Sequence, residues 1–388
     1  MRQRYFDYNA TCPMLPQAIA RYGEVATQCG GNPSSLHWAG RAARRALDDA
    51  RDVVADHFGV EAGSVVFTSG GTEANSLAIQ GWLHRQAPGT IVSTMIEHPS
   101  VLRPLERFAP VGDTPWRLVR IRPRPDGAID AEEMIAAIDG STRLVSIMAA
   151  NNESGVLQPA LEVARACRAR DIAVHVDAVQ LLGKVDAQIL RDLAAEADFL
   201  TFSAHKIGGP KGVGGLIIRR GRTVEELAPG GGQERKRRSG TENVPGICAF
   251  AASLGVLDFP AVAAVRDRFE QQLIQALPDC TIIGADAPRL PNTSLFTVPG
   301  MEGETVLMQL DLAGFAVASG SACSSGARRP SHVLMAMGLK PEAARSAIRV
   351  SFGPEHDDAD ADALVEALVA VRERLQRMRG GAWGGSGV

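Results

Sequence analysis

The segment with the densest chemistry is Phe202–Gly212, FSAHKIGGPKG. An apolar, β-type run ends at Phe202, and Ser203, His205 and Lys206 follow before a glycine-rich turn. A hydroxyl, an imidazole and an amine are thus gathered where a strand ends. Only 5 of the 41 Lys and Arg residues are lysine, at 184, 206, 211, 236 and 340. In a chain that uses arginine so freely, a lysine is more often present for its amine. A lysine can lose its proton and attack a carbonyl, whereas arginine stays charged. Lys206 is therefore a candidate to bond an aldehyde cofactor. A plain surface lysine is the alternative. Lys211 reads as a turn residue.

Three further segments widen this reading. In Ala173–Gln180, AVHVDAVQ, a strand ends at Asp177 and Gln180 follows. A carboxylate at a buried strand end is costly without a cationic partner. The protonated pyridine nitrogen of pyridoxal phosphate (PLP) is such a partner; a helix N-cap is the other reading. Thr68–Asn75, TSGGTEAN, joins a strand to a helix. Helix-start N–H groups with a nearby hydroxyl can cradle a phosphate, and no Gly-Lys-Ser/Thr follows as a Walker A loop would require. Glu97–His98 again follows a strand, and an imidazole there could stack on a cofactor ring or be merely structural.

The elements that must position these residues alternate. Helical periodicity marks 37–58, 72–84 and 161–170. Short apolar β-type runs mark 64–68, 90–95, 143–149, 172–176, 198–202 and 214–218. This pattern predicts a mostly parallel sheet covered by helices on both faces, with ligands at the strands' carboxyl ends. Beyond Gly221 come loop-like segments at 229–232 and 237–240, a helical region over 244–277, and then fewer strands (292–298, 315–319, 347–352) among helices at 304–312, 331–337 and 358–379. A smaller α+β unit is expected there. The least polar stretch, 246–265, reads as a buried helix, and ERKRR (234–238) as a solvated loop. At 388 residues the prior is two domains, or three. The net charge of -3 gives no electrostatic claim on nucleic acid or an acidic membrane. The six cysteines form no Cys-x-x-Cys, and the N-terminus lacks an apolar leader. A reducing, cytoplasmic setting is expected.

Taken with Tyr5–Pro13 (YFDYNATCP), Gly31–His37 (GNPSSLH), Asn151–Gly155 (NNESG), Arg238–Pro245 (RSGTENVP), Ser319–Gly326 (SGSACSSG) and Ile348–Ser351 (IRVS), these segments occur in the order and spacing of one family. From Tyr5 to Phe352 the chain resembles the NifS/IscS-type cysteine desulfurases, class V members of the fold-type I PLP enzymes. That resemblance implies an α/β fold-type I transferase. Its large PLP-binding domain (15–260) would hold a mostly parallel seven-stranded sheet. A smaller α+β domain (1–14 and 261–379) would carry the cysteine loop, with a disordered tail at 380–388. It further implies PLP as cofactor, L-cysteine as substrate, a homodimer, and a sulfur-acceptor protein as partner, in iron–sulfur cluster assembly or another sulfur-transfer pathway.

Carried over residue by residue, the resemblance gives Lys206 the covalent attachment and proton transfer. It sets Asp177 at the ring nitrogen, Gln180 at the ring hydroxyl and His98 on the ring face. Gly71, Thr72, Ser203 and His205 would bind phosphate, with Thr241 supplied by the other subunit. Asn152 would contact cofactor or substrate, Arg349 the substrate carboxylate as a bidentate pair, and Asn32 the substrate side. Cys323 would take the sulfur as a persulfide. No metal site is expected, although Cys323 could ligate an iron–sulfur cluster transiently. A thiol near pKa 8.5 is only about 3% ionised at pH 7, and Arg328 and Arg329 could lower it, or could be a solvated pair. Cys12 stands where the family usually has Thr and reads as a packing change. Cys167 and Cys248 read as small core residues. The long Ser-rich cysteine loop is similar to the NifS/IscS branch rather than the SufS type, while the early, Gly-rich end puts IscS-type scaffold docking in doubt. The competing readings are a selenocysteine or C–S lyase, against which the Cys323 loop argues, and a non-catalytic PLP-binding scaffold, against which Lys206, Asp177 and Arg349 argue.

Overall fold

A computed structural model describes residues 3–110, 115–320 and 330–381. Cys323, Arg328 and Arg329 lie outside the described residues, as does the chain from 382. The strands are β1 (Arg4–Tyr5), β2 (Val65–Thr68), β3 (Thr90–Thr94), β4 (Arg117–Ile121), β5 (Thr142–Met148), β6 (Val174–Asp177), β7 (Phe199–Ser203), β8 (Gly214–Ile218), β9 (Thr281–Ile282), β10 (Thr293–Thr297), β11 (Phe315–Ala316), β12 (Ala318–Ser319) and β13 (Ala347–Ser351). The first four helices are α1 (Pro16–Gln28), α2 (Trp38–Phe58), α3 (Gly71–Leu83) and α4 (Pro99–Phe108).

Seven strands form the main sheet, in the order β2-β8-β7-β6-β5-β3-β4. It is mostly parallel, as expected; β8 alone runs antiparallel to its neighbours β2 and β7. Both faces are covered. Alternation along β3 sends Ile91 into the apolar layer of Leu77 and Phe199, and Val92 into that of Phe58, Phe202 and Phe250. With no wet face, the strands read as continuous apolar runs rather than alternating ones. Helix α2 begins where His37 accepts from Gly40 N–H and stops at Gly59, whose φ of 66° closes the left-handed cap.

The second sheet is antiparallel, β12-β13-β10-β9. It packs on a separate core of Phe269, Phe296, Phe352 and Leu364, which the N-terminal Phe6 enters. There β1 pairs with β11, so the chain's start is held by residues more than 300 positions away.

Three expectations are corrected. The apolar stretch 246–265 is not one helix: Val244–Ala251 ends before Phe259-Pro260, and a new helix runs Ala263–Ala276. The ERKRR segment is not wholly solvated. Glu234 is buried in a two-point ion pair with Arg51 (Oε1–Nη2 2.6 Å, Oε2–Nη1 2.8 Å), and its Oε2 also accepts from Phe67 N–H. The final helix, Asp358–Gly381, continues into the first two residues assigned to the tail.

Candidate active site

The loops after β2, β3, β5, β6 and β7 meet over a cavity of about 310 Å³. Gly71, Thr72, His98, Asn152 and Asp177 line it, as do Gln180, Ser203, His205, Lys206 and Arg349. Asn32 and Thr241 are exposed and lie outside it in the single chain.

One end of the cavity has the chemistry of an anion site. Helix α3 starts at Gly71, and its first residues, Gly71 and Thr72, line the cavity; a helix start carries N–H groups without intrahelical partners, which suit an anion. A Cβ at Gly71 would come within 2.8 Å of Val179 Cγ2, so glycine lets this helix start pack against the turn after β6. Ser203 lies beside Gly71, its Cβ 3.6 Å from where a Gly71 Cβ would stand, and its Oγ is buried with no hydrogen-bond partner among the described residues. A buried hydroxyl left unpaired is costly, and a phosphate oxygen would satisfy it. His205 sits beside Thr11, Nδ1 to Oγ1 3.2 Å. Burial, with Lys206, Lys211 and Lys184 adding, pushes its pKa down to about 4. It therefore meets an anion as a neutral imidazole.

Asp177 lines the same cavity. It is no helix N-cap, since turns follow it instead of a helix. Its Oδ1 accepts from Val179 N–H at 3.0 Å and its Oδ2 from Asn75 Nδ2 at 2.9 Å. A carboxylate so held is suited to a cationic ring nitrogen. His98 is both structural and at the cavity: it caps α4, its Nδ1 accepting from Ser100 N–H at 3.1 Å. A backbone N–H can only donate, so the neutral ring carries its proton on Nε2. Burial pushes its pKa down.

Lys206 Nζ donates to the carbonyls of Asn9 (2.6 Å) and Ala10 (2.8 Å). Gln180 Nε2 donates to the same Asn9 carbonyl at 3.0 Å. The Arg349 guanidinium rises from β13, with Nη1 on Asn152 O (2.9 Å) and Nη2 on Asp7 Oδ1 (2.6 Å). Its Nε is buried with no partner among the described residues. Cationic donor, carboxylate, amine and unpaired hydroxyl thus fit the carboxylate of an amino acid and the ring and phosphate of PLP.

The sequence profile described as class-V aminotransferase matches residues 4–364. The chain belongs to that family. A cysteine desulfurase of Cereibacter sphaeroides is 42% identical over 386 residues, 97% of this chain and 98% of the relative. A solved NifS-like protein superposes with a TM-score of 0.86 at 32% identity, covering 96% of this chain and 99% of its own. A structure of SspA in complex with cysteine superposes at 0.79 and 30% identity, over 90% and 99% of the two chains. Class V enzymes of this kind are PLP-dependent.

Against that family background, the sequence reading passed over Asn9 and Lys184. Lys184 is fully buried and its Nζ donates to Asn9 Oδ1 and Gln180 Oε1, both at 2.7 Å. Burial drives its pKa well down. An ammonium or amine donor on Oε1 turns the Gln180 NH₂ to the cavity side. The rarity of lysine, and the four-residue spacing from Gln180, were the signals for it. Asn9 and Asp7 lay inside a motif already noted, but contacts spanning more than 140 residues give no sequence spacing to read. Cys12, Cys167 and Cys248 are buried, and burial pushes their thiols up to about 12, 12 and 11. That suits packing rather than reactive roles.

Proposed function

We propose that this chain is a PLP-dependent cysteine desulfurase that converts L-cysteine to L-alanine and carries the sulfur away as a persulfide on Cys323. The observation that supports it most is the convergence of Lys206, Asp177, Arg349 and the Ser203 hydroxyl, which has no partner among the described residues, on one cavity, in a chain whose relatives are cysteine desulfurases. Ser203, His205, Gly71 and Thr72 would hold the phosphate, Asp177 the ring nitrogen, Gln180 the ring oxygen, and His98 the ring face. When bound, PLP supplies an electron sink for negative charge on substrate carbon.

The chain's own residues do the rest. Lys206 would hold the cofactor through its amine and would move protons at the substrate. Arg349, with Asn152 and Asn32, would orient the substrate carboxylate; its Nε is buried with no partner among the described residues. His98 presents an Nε2–H. The Cys323 thiolate attacks the substrate sulfur: an S–S bond forms, the Cβ–S bond breaks, and the electron pair left on carbon is quenched by a proton to give alanine. Thr241 would complete the phosphate site of a partner subunit, so the enzyme would be a homodimer. Division into 15–260 and 1–14 plus 261–379 would let the cysteine-bearing part move against the cofactor-bearing part. A cytoplasmic acceptor protein would take the sulfur. Among the described residues no helix is long and apolar enough to cross a membrane.

The test is direct. Apoenzyme supplied with PLP and L-cysteine should release alanine in step with sulfide when a reducing thiol is present, and neither product without PLP. Release of pyruvate and ammonia instead would favour an eliminating lyase.

A further inference from the structure

The face of β6 that carries Asp177 also carries His175, two residues earlier, and both are buried. The sheet register sets Thr201 of β7 beside Asp177, and Ser146 of β5 beside His175. Asn75, on the second turn of α3 and 1% exposed, reaches into this polar layer. Its amide NH₂ donates to Asp177 Oδ2 and to Ser100 Oγ, both at 2.9 Å. Its Oδ1 accepts from Thr201 Oγ1 at 2.7 Å and faces His175 Nε2 at 3.1 Å.

Donor counting leaves one arrangement. An ionised Asp177 only accepts, so the end of Asn75 that faces it is the NH₂. Oδ1 then faces His175, which must carry its proton on Nε2. His175 Nδ1 in turn accepts from Ser146 Oγ at 2.9 Å. The second amide hydrogen goes to Ser100 Oγ, which frees that hydroxyl's own proton for His98 Nδ1 at 2.7 Å. Ring-nitrogen acid and ring-face imidazole therefore hang on one amide. Turned through 180°, the amide would set its carbonyl against the carboxylate; the two donors on Oδ1 oppose this. Glu97, His98 and His175 are among the titratable groups that feel the Asp177 charge. Burial lowers the pKa of His175 to about 4, so it stays a neutral donor.

We propose that Asn75 is a positioning residue that keeps Asp177 an acceptor-only carboxylate aimed at the cofactor's ring nitrogen, and that His175 and Thr201, which do not line the cavity, act through it. This rests on the PLP reading of the cavity. Neighbouring donors favour the charged form of a carboxylate, and a fully satisfied buried network can be worth more than the sum of its pairs.

The test reconstitutes apoenzyme with ¹⁵N-labelled PLP at pH 8 and reads the ring-nitrogen resonance together with PLP affinity. Wild type should show a protonated ring nitrogen. Asn75→Leu, similar in size but without donors, should move the resonance toward the unprotonated position and weaken PLP binding about tenfold or more. If that variant does not fold, Thr201→Val removes one donor with its shape kept. A smaller shift in the same direction is then expected, and Thr201→Ser should restore the wild-type signal. A folded Asn75→Leu, or in its place Thr201→Val, that keeps the protonated resonance and binds PLP within twofold of wild type overturns the proposal. A wild type that takes up no PLP, or holds it unprotonated, overturns the reading of the cavity first, and the proposal with it.

Discussion

Removing the Lys206 amine should abolish the covalent link to the cofactor while leaving the phosphate and ring contacts in place. After borohydride reduction, peptide mass spectrometry of Lys206→Ala should find no PLP-bearing lysine; labelling at the wild-type level would contradict the assignment. Lys184 is not a substitute, because its Nζ is committed to Asn9 and Gln180. A second residue-scale prediction concerns Glu97. Its Oε1 accepts from Thr94 Oγ1 (2.7 Å) and Met148 N–H (2.9 Å), while Oε2 has no partner among the described residues. Burial raises its pKa from 4.5 to about 8. Because the folded state prefers the protonated acid, its contribution to stability is full below pH 4.5, declines as pH rises, and levels off above about 8. Glu97→Gln cannot ionise. Its Tm relative to wild type should therefore climb between pH 5 and pH 8, equivalent to on the order of a few kcal/mol. A difference that stays constant with pH would show Glu97 ionised in the fold. At this scale the sequence marked residues whose type is unusual for their place, such as Lys206 in a lysine-poor chain and Asp177 at a strand end. It did not mark Asn75 or Asn9, whose roles come from contacts across the sheet and between distant segments.

The elements hold these side chains through close packing of β7 on β8. Gly215 of β8 lies against the Phe202 ring, and a Cβ there would overlap it. Phe202 in turn contacts Phe58 and Phe250, with centroids 5.1 and 5.4 Å away. Gly215→Ala should therefore displace the strand end that bears Ser203 and Lys206. A loss of about 1–3 kcal/mol is expected in denaturant titration, together with weaker PLP binding; a neutral substitution would mean that the ring moves aside freely. Most strand and helix positions were legible because buried parallel strands read as apolar runs and helices end at glycine. The errors have local causes. A break at Phe259-Pro260 was hidden by apolar residues on both sides. Glu234 was read as solvated because its partner, Arg51, lies 183 residues away. Strand β4, RLVRI, was missed because this edge strand carries two arginines in its short run.

For the whole molecule, Asn32 and Thr241 stand outside the cavity of the single chain, and the role proposed for Thr241 is in the phosphate site of a second subunit. Subunits carrying Lys206→Ala mixed with subunits carrying Thr241→Ala should form heterodimers with one doubly defective site and one intact site. That intact site should regain near-wild-type PLP affinity; full activity in a strictly monomeric preparation would contradict shared sites. The central claim, sulfur transfer to Cys323, is tested most directly by mass spectrometry of the Cys323 peptide after a single turnover with L-cysteine. The wild type should gain one sulfur atom on that peptide. Cys323→Ser, whose hydroxyl is a poor nucleophile toward sulfur, should still bind PLP and L-cysteine, yet lose alanine formation by several powers of ten. Alanine formation by Cys323→Ser near the wild-type rate, with no added sulfur on the wild-type peptide, would contradict the account.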